Sequence, residues 1–238
     1  MKSKRLTKQL VGILLLSFIL TLSSLPLAAQ DNGNKPKARW GITAGVNGYN
    51  AHTLNLSDDR GRWGGHLGVK LEKPLSTSPN HWYLDGEAKL LLLRTHEQGV
   101  YYFNDFLSEH TAIHNYASDT KMDAYYLHIP IHAGYKWTFN DRFALFVDAG
   151  PYVAMGLFGK TKCTGSINGE AGVESSYDTF KHHLNRNLEW GVGMKLGVEL
   201  YKHYQLGVSY DYGISRIHYA QHAYDRNANL TFFISYMF

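Results

Sequence analysis

Eleven charged residues of this chain lie in segments where polar and apolar residues alternate, always on the side that carries the glycines, serines and threonines. They are Lys70, Glu72, Asp85, Glu87, Lys89, Lys136, Asp148, Glu189, Lys195, Glu199 and Asp211. Lysines and carboxylates that are brought together can pair with one another, line an ion path, or act as acids and bases. The elements that position them decide between these roles.

Histidines offer a second kind of chemistry, because neutral imidazole binds zinc or copper. Eight lie between the alternating segments: His52, His96, His110, His114, His182, His183, His218 and His222. His110 and His114 are four residues apart, but nothing marks their stretch as helical. Ser118, Asp119 and Ser175 are residue types of hydrolases, but no nucleophile motif surrounds them. We therefore predict no catalytic residue, metal site or cofactor.

The amino terminus has the order of a secretory signal peptide: basic residues, an apolar run over residues 10–22, then small residues. The run is shorter than the roughly 20 residues of a transmembrane helix. We predict a signal peptide over residues 1–30 and a short periplasmic segment over residues 31–38. The formal charge of +4 comes from 24 basic and 20 acidic residues, and four of the basic ones lie in this signal. The mature chain has no basic excess, so we predict no nucleic-acid partner.

Eight segments after residue 38 alternate with the period of β-strands. The last segment ends the chain with five apolar residues on one face: Leu230, Phe232, Ile234, Tyr236 and Phe238. No later stretch is apolar enough for a transmembrane helix, and strands in lipid must close into a barrel to leave no edge unpaired. We predict that residues 39–238 form an all-β, eight-stranded antiparallel up-and-down transmembrane β-barrel.

The connections between these segments alternate in length. Those over residues 50–61, 97–120, 161–186 and 217–226 are long, and those over residues 74–80, 140–142 and 201–203 are short. Outer-membrane barrels have short periplasmic turns and long external loops. We therefore predict an outer-membrane location in a Gram-negative bacterium, with both mature termini in the periplasm.

The apolar face is predicted to contact lipid, and the eleven charged residues to fill the lumen. An eight-stranded barrel is just wide enough for side chains, and an unpaired buried charge is costly, so pairing is favoured over an ion path. Periodicity alone also allows a soluble barrel with its faces reversed, which would hold an apolar ligand. The small residues on the charged face and the tryptophans near the ends of the apolar stripe favour the membrane.

Two local features carry separate predictions. Tyr101, Tyr102, Phe103 and Phe106 form an aromatic cluster in the connection over residues 97–120. Such a cluster is either the packed core of a loop or a contact patch for a partner. Pro130 lies inside a strand, where it removes a backbone donor, so we expect a local bulge or a carbonyl satisfied by water there.

The segment Tyr125–Ile131, with the sequence YYLHIPI, resembles the Tyr-Leu-x-Ile-Pro strand of the PorT-like family, an outer-membrane β-barrel domain common in Bacteroidetes. The motifs at residues 134–135, 148–152, 190–193, 197–200 and 210–214 resemble the same family. The resemblance implies an eight-stranded outer-membrane barrel without catalytic residues, and some members take part in type IX secretion. His128 and His132 depart from the family pattern.

Together these observations predict a non-enzymatic membrane scaffold that binds a partner. The resemblance to the PorT-like family suggests a role as an accessory of protein secretion. Its partners would be outer-membrane lipid, a protein bound through the external loops or periplasmic turns, and the barrel-assembly machinery during insertion. The alternatives are a barrel that binds a lipid or another apolar ligand and, third, an enzyme with its active site at the external rim.

Overall fold

The computed structural model describes residues 36–52, 58–59, 62–104, 113–167, 170–180, 187–215 and 226–238. The predicted signal peptide lies outside these residues. The chain divides into two units, residues 1–37 and residues 38–238, and the second contains all the strands below. Within the described residues, no helix is long and apolar enough to cross a membrane.

Ten strands are described, and eight of them are 10 residues or longer. In chain order they are β1 Arg39–His52, β2 Asp58–Asp59, β3 Arg62–Pro74, β4 His81–Asn104, β5 Ile113–Asn140, β6 Phe143–Ile167, β7 Glu170–Asp178, β8 Leu188–Leu200, β9 Tyr204–Gly213 and β10 Arg226–Met237.

The eight long strands form a closed antiparallel ring in the order β1, β10, β9, β8, β6, β5, β4 and β3, which returns to β1. Closure between the first and last strands is complete from Gly41 opposite Met237 to His52 opposite Arg226. The predicted eight-stranded antiparallel barrel is therefore confirmed.

The two faces of the wall are opposite in chemistry. Along β8, Lys195 is 2% exposed whereas its neighbour Leu196 is 54% exposed. Along β10, Phe232 and Ile234 are exposed while Thr231 and Ser235 are buried. Since successive side chains of a strand point to opposite faces, the outer wall is apolar and the lumen is polar.

One end of the barrel, here called the lower end, carries the short turns and both termini of the ring. Tyr201 and Lys202 have φ values of 53° and 63°, and the His203 amide donates to the Leu200 carbonyl at 3.1 Å. Positive φ at both central residues is typical of the tight hairpin turns whose twist matches the strands. Lys202 Nζ also donates to Asp141 in the neighbouring turn at 2.8 Å, and this lowers the pKa of that carboxyl.

At the opposite, upper end, β4, β5 and β6 continue far beyond the ring. β6 leaves β8 after Met155 and pairs with β7 instead, and β2 pairs with β4 at Gln98. Much of the connections predicted over residues 97–120 and 161–186 is therefore strand, and the prediction of loops there is wrong. Both faces of these segments lack an apolar stripe, so alternation could not reveal strands that are held by backbone pairing.

The pairing register does not shift at Pro130, so the predicted bulge is wrong. Around Pro130, pairs with β4 are missing at Ile129 and Pro130, and pairs with β6 at Ile131 and His132, which lie opposite Pro151 and Gly150. A proline has no amide to donate, so each interruption falls where a proline faces its neighbour. The register of β5 and β6 shifts instead at Tyr125 and Tyr126, where Leu157 is the additional residue, and again between Thr138 and Asn140.

Candidate functional site

All eleven charged residues singled out in the sequence have buried side chains in the lumen, none more than 7% exposed. The structure brings ten of the eleven within 4 Å of an oppositely charged side chain or a histidine ring. They are arranged in three levels between the lower and upper ends. The candidate functional site is this interior.

The lower ion network consists of Arg39, Glu72, Lys136, Glu199 and Gln205. Lys136 Nζ donates to Glu72 at 2.6 Å and to Glu199 at 2.7 Å, and Arg39 bridges the same two carboxylates at 2.5 and 2.6 Å. The Gln205 amide adds bonds to both carboxylates at 2.8 and 2.7 Å. The two carboxylates thus share two cations and one amide.

An aromatic layer of Tyr83, Phe146 and Phe233 lies above the lower ion network. The Lys136 ammonium lies 5.3 Å from the centroid of the Tyr83 ring, and that of Lys70 lies 5.7 Å from the Phe146 ring. Cations at this range are attracted to the face of an aromatic ring. The rings therefore fill the lumen and also contact cations from both sides.

The middle ion network is built around Lys195 on β8. Its ammonium donates to Asp85 and to Glu87, the latter at 2.8 Å, and lies 3.7 Å from Asp148. Lys70 lies 3.2 Å from Asp85, and Lys89 lies 2.9 Å from Glu87. Three lysines thus compensate three carboxylates, which is the condition for keeping buried charges without a large penalty.

Asp148 joins the middle ion network to Tyr83 and His132. Its Oδ2 accepts from the Tyr83 hydroxyl at 2.7 Å, and its Oδ1 lies 2.7 Å from His132 Nδ1. Because an ionised carboxylate only accepts, His132 Nδ1 carries the proton of this contact. Tyr83 and His132 therefore fix the orientation of Asp148 beside Lys195.

The upper lumen contains Glu189 and Asp211, which lack a lysine or arginine within 4 Å among the described residues. Glu189 accepts hydrogen bonds from the Tyr152 hydroxyl at 2.7 Å and from the Asn227 amide. Asp211 lies 3.6 Å from His128 Nε2, too far for a hydrogen bond. Within the described residues, neither ring nitrogen of the buried His128 has a hydrogen-bond partner.

An apolar cluster on β4, β5 and β6, here called the apolar cap, lies in the upper lumen next to these carboxylates. It consists of Leu91, Leu93, Ala124, Tyr126, Tyr152 and Ala154. Phe180, which follows β7, packs edge-on against Tyr126 with ring centroids 5.4 Å apart. The cavity between the cap and Glu189 is narrow, and its wall also includes Asp211 and His128. The interior is thus occupied from the lower network to the cap.

The charges in the lower and middle networks balance at five cations and five carboxylates, because Arg39 joins the four lysines. Such an arrangement can hold the wall in one register and block the passage of solutes. Among the described residues, no three histidine, cysteine or carboxylate side chains are grouped as a metal ion would require.

Sequence reasoning missed Arg39, Tyr83, His132 and Gln205 as members of the networks. Arg39 lies two residues before Gly41 on the polar face, so the alternation itself could have identified it. Tyr83 could not be identified as a member of the networks, because nothing in the sequence distinguishes an aromatic residue that faces the lumen from one that faces lipid.

The other predicted residues are distributed along the outside and the upper end. Leu230, Phe232, Ile234, Tyr236 and Phe238 all lie on the outer face, where only Tyr236 is partly buried. The backbone of Tyr101–Phe103 belongs to β4, and Phe106 lies outside the described residues. The histidines at 110, 182, 183, 218 and 222 also lie outside them, whereas His96 contacts Asp119 at 3.0 Å.

A closed antiparallel barrel with an apolar outer wall and a paired ionic lumen is the architecture of an outer-membrane β-barrel protein. Residues 28–219 match the family model of the outer membrane protein beta-barrel domain. The chain therefore belongs to this family, and this places it in the outer membrane. No curated protein matches the chain.

Solved structures of outer-membrane proteins align with most of this chain but have little sequence in common with it. The attachment invasion locus protein Ail of Yersinia pestis is 14% identical, with 85% of this chain and 99% of Ail covered and a TM-score of 0.40. OprG of Pseudomonas aeruginosa is 10% identical, with 87% and 99% covered and a TM-score of 0.41. Neisserial surface protein A is 12% identical, with 85% and 99% covered and a TM-score of 0.39.

Proposed function

We propose that this protein is a non-enzymatic membrane scaffold whose lumen is closed to solutes and whose upper end binds a protein partner. One observation carries the proposal: ion pairs occupy the lower and middle lumen, and the apolar cap packs in the upper lumen. A protein with such an interior has its accessible groups at the two ends. The upper end offers the larger surface, because β4, β5, β6 and β7 extend there beyond the ring.

The proposed orientation places the short turns and both termini in the periplasm and the extended strands outside the cell. The asymmetry of the two ends supports it, since outer-membrane barrels have short periplasmic turns. A role as an accessory of protein secretion, suggested by the resemblance to the PorT-like family, would instead use the short turns. The barrel-assembly machinery is the proposed partner during insertion only.

An apolar-ligand barrel is less well supported, because the described lumen has charged or aromatic side chains where an acyl chain would lie. An enzyme at the upper rim lacks a supporting arrangement among the described residues. Asp119 contacts His96 and Lys121 there, but among the described residues no serine, threonine or cysteine side chain hydrogen-bonds to any of the three.

Crosslinking from the two ends of the barrel tests the proposal. A photoreactive amino acid at Glu174, on the exposed part of β7, should give a protein adduct in intact cells, and one at Asp141 in the lower turn should not. Adducts only from position 141 would favour the secretion accessory, and no adduct from either would reject the scaffold. In planar bilayers the purified protein should show no steady conductance, and an open channel would contradict the closed lumen.

A further inference from the structure

The outer face of the extended strands carries a group of lysines directly above the apolar wall. On β5 and β6, Tyr125 and Phe158 lie opposite one another and stack with ring centroids 4.6 Å apart. The next outward pair is Asp123 with Lys160, and the one after that is Lys121 with Lys162. The face thus changes from aromatic to basic within four residues.

The aromatic pair marks the upper boundary of the lipid-facing wall. Ten residues further along β5, Tyr135 lies in a lower aromatic cluster with Trp137 and with Trp82 of β4, at ring-centroid distances of 4.9 and 5.2 Å. Ten residues of a strand tilted by about 40° span roughly 26 Å along the membrane normal, close to the apolar band of about 25 Å in such barrels. Lys160 then lies roughly 5 Å above the boundary, and Lys121 and Lys162 roughly 10 Å above it.

The lysines are poorly compensated by the protein. Lys121 and Lys162 are directly opposite one another, and like charges in such cross-strand pairs are destabilising. Lys121 has one carboxylate near it, Asp119 at 3.7 Å, and its side chain is 50% exposed. Within the described residues neither Lys160 nor Lys162 has a carboxylate within 4 Å, although Asp178 lies opposite Lys160 in the ladder of β6 and β7.

The remaining charges on this face do not neutralise the lysines. Asp123 is held by two arginines, Arg62 at 3.2 Å and Arg94 at 3.4 Å. Asp119 also accepts from Gln98 and contacts His96, and the hydrogen bond with His96 lowers its pKa. Glu174 lies opposite Thr164, one outward position beyond Lys162. The face between the aromatic pair and this position is therefore basic.

We propose that Lys121, Lys160 and Lys162 bind the phosphate groups of a phosphorylated glycolipid in the adjacent leaflet. Their height above the aromatic pair matches the headgroup region, and their face continues the wall that contacts the acyl chains. A phosphate between Lys121 and Lys162 would also remove the repulsion of their cross-strand pair. That the glycolipid belongs to the outer leaflet rests on the orientation proposed above, whereas its binding does not require a protein partner.

The test uses the full mature chain in detergent, titrated with lipid A. The variant Lys121→Gln/Lys160→Gln/Lys162→Gln is compared with Lys37→Gln/Lys73→Gln/Lys202→Gln, which neutralises three exposed lysines near the lower end. A lysine near an anionic surface contributes about fivefold to affinity, so the upper variant should bind on the order of 100-fold more weakly. The lower variant should bind within about twofold of the parent protein. A heat-dependent gel shift of each variant establishes that it is folded.

Three further titrations identify what is recognised. Lipid A without its phosphates should bind the parent protein as weakly as lipid A binds the upper variant. Arginine at the three upper positions should retain binding, and millimolar inorganic phosphate should not displace the lipid. Equal binding by the upper variant, equal binding of the dephosphorylated lipid, or complete displacement by phosphate would each overturn the proposal. A failed crosslinking experiment would leave these results unaffected, so the two proposals fail independently.

Discussion

The middle and upper lumen of the barrel both contain buried carboxylates, but only those in the middle lumen are paired with lysines. In the middle ion network every carboxylate has a lysine within 4 Å. In the upper lumen Glu189 and Asp211 have no such lysine or arginine among the described residues. We conclude that the middle of the barrel is held by paired charges and the upper part by the apolar cap.

The largest effect should come from Lys195→Met, which removes the cation shared by Asp85, Glu87 and Asp148. Removing one member of a buried ion pair costs about 3 to 5 kcal/mol, because the partner is left charged and uncompensated. We expect a loss of this size in the free energy of unfolding, measured by denaturant titration in lipid vesicles. A loss below about 1 kcal/mol would show that the middle network is not held by its charges.

The neighbouring residue on the other face gives the second prediction. Leu196→Arg should cost about 2 to 4 kcal/mol, because an arginine on the lipid-facing wall near the midplane must leave water. The same unfolding titration measures it, with Leu196→Met as the control of similar volume. If Leu196→Arg leaves the free energy of unfolding unchanged, the outer face of β8 does not contact lipid.

In the upper part, Phe180→Ala removes the ring that packs on Tyr126. A fully buried phenylalanine costs about 3 to 5 kcal/mol on truncation to alanine, and this half-buried one should cost about 2 kcal/mol. Hydrogen exchange should increase in the upper halves of β5 and β6, while the amides beside Lys195 stay protected. Equal deprotection of both levels would contradict the separation between cap and ion network.

The smallest effect is expected for Glu189→Gln. The glutamine side chain has nearly the same shape as glutamate, and its carbonyl oxygen can still accept a hydrogen bond from the Tyr152 hydroxyl. The substitution also removes a carboxylate that has no lysine or arginine beside it among the described residues. We expect a change below about 1 kcal/mol in the free energy of unfolding. The matched variant Glu87→Gln, which faces Lys195 and Lys89, should lose several times more. Equal losses in the free energy of unfolding at the two positions would contradict the proposed difference between the middle and the upper lumen.

The parts of the fold that could be predicted are those in which one face of a strand differs from the other. Alternation in β8 is strict, so it predicts the strand and its two faces. In β4 over residues 95–99 and in β6 over residues 159–166 both faces are polar, and backbone pairing with β5 and β7 decides the structure. Such pairing depends on residues far away in the chain, so a local pattern does not contain it.

For the interior, alternation places charged residues on one face but does not say which of them meet. The pairing of Lys136 with Glu72 and Glu199, or of Lys195 with Asp85, depends on the stagger of strands around the ring. Arg39 and Gln205 join the lower network from opposite ends of the chain for the same reason. At Pro130 the local rule was misleading. Because proline has no amide to donate, a bulge or a carbonyl satisfied by water was expected, but the strand pairing is only interrupted there and its register does not shift.

The pairing of β1 with β10 has a consequence for the order of assembly. Gly41 pairs with Met237, so the ring closes between residues from opposite ends of the barrel sequence. The ion pair of Arg39 with Glu199 likewise joins strands that are far apart in the chain. An incomplete ring would expose two strand edges and place lysines and carboxylates beside lipid, which is costly. Because contacts of long sequence separation also form slowly, insertion should proceed as one concerted step in which the ring closes and the charges pair together.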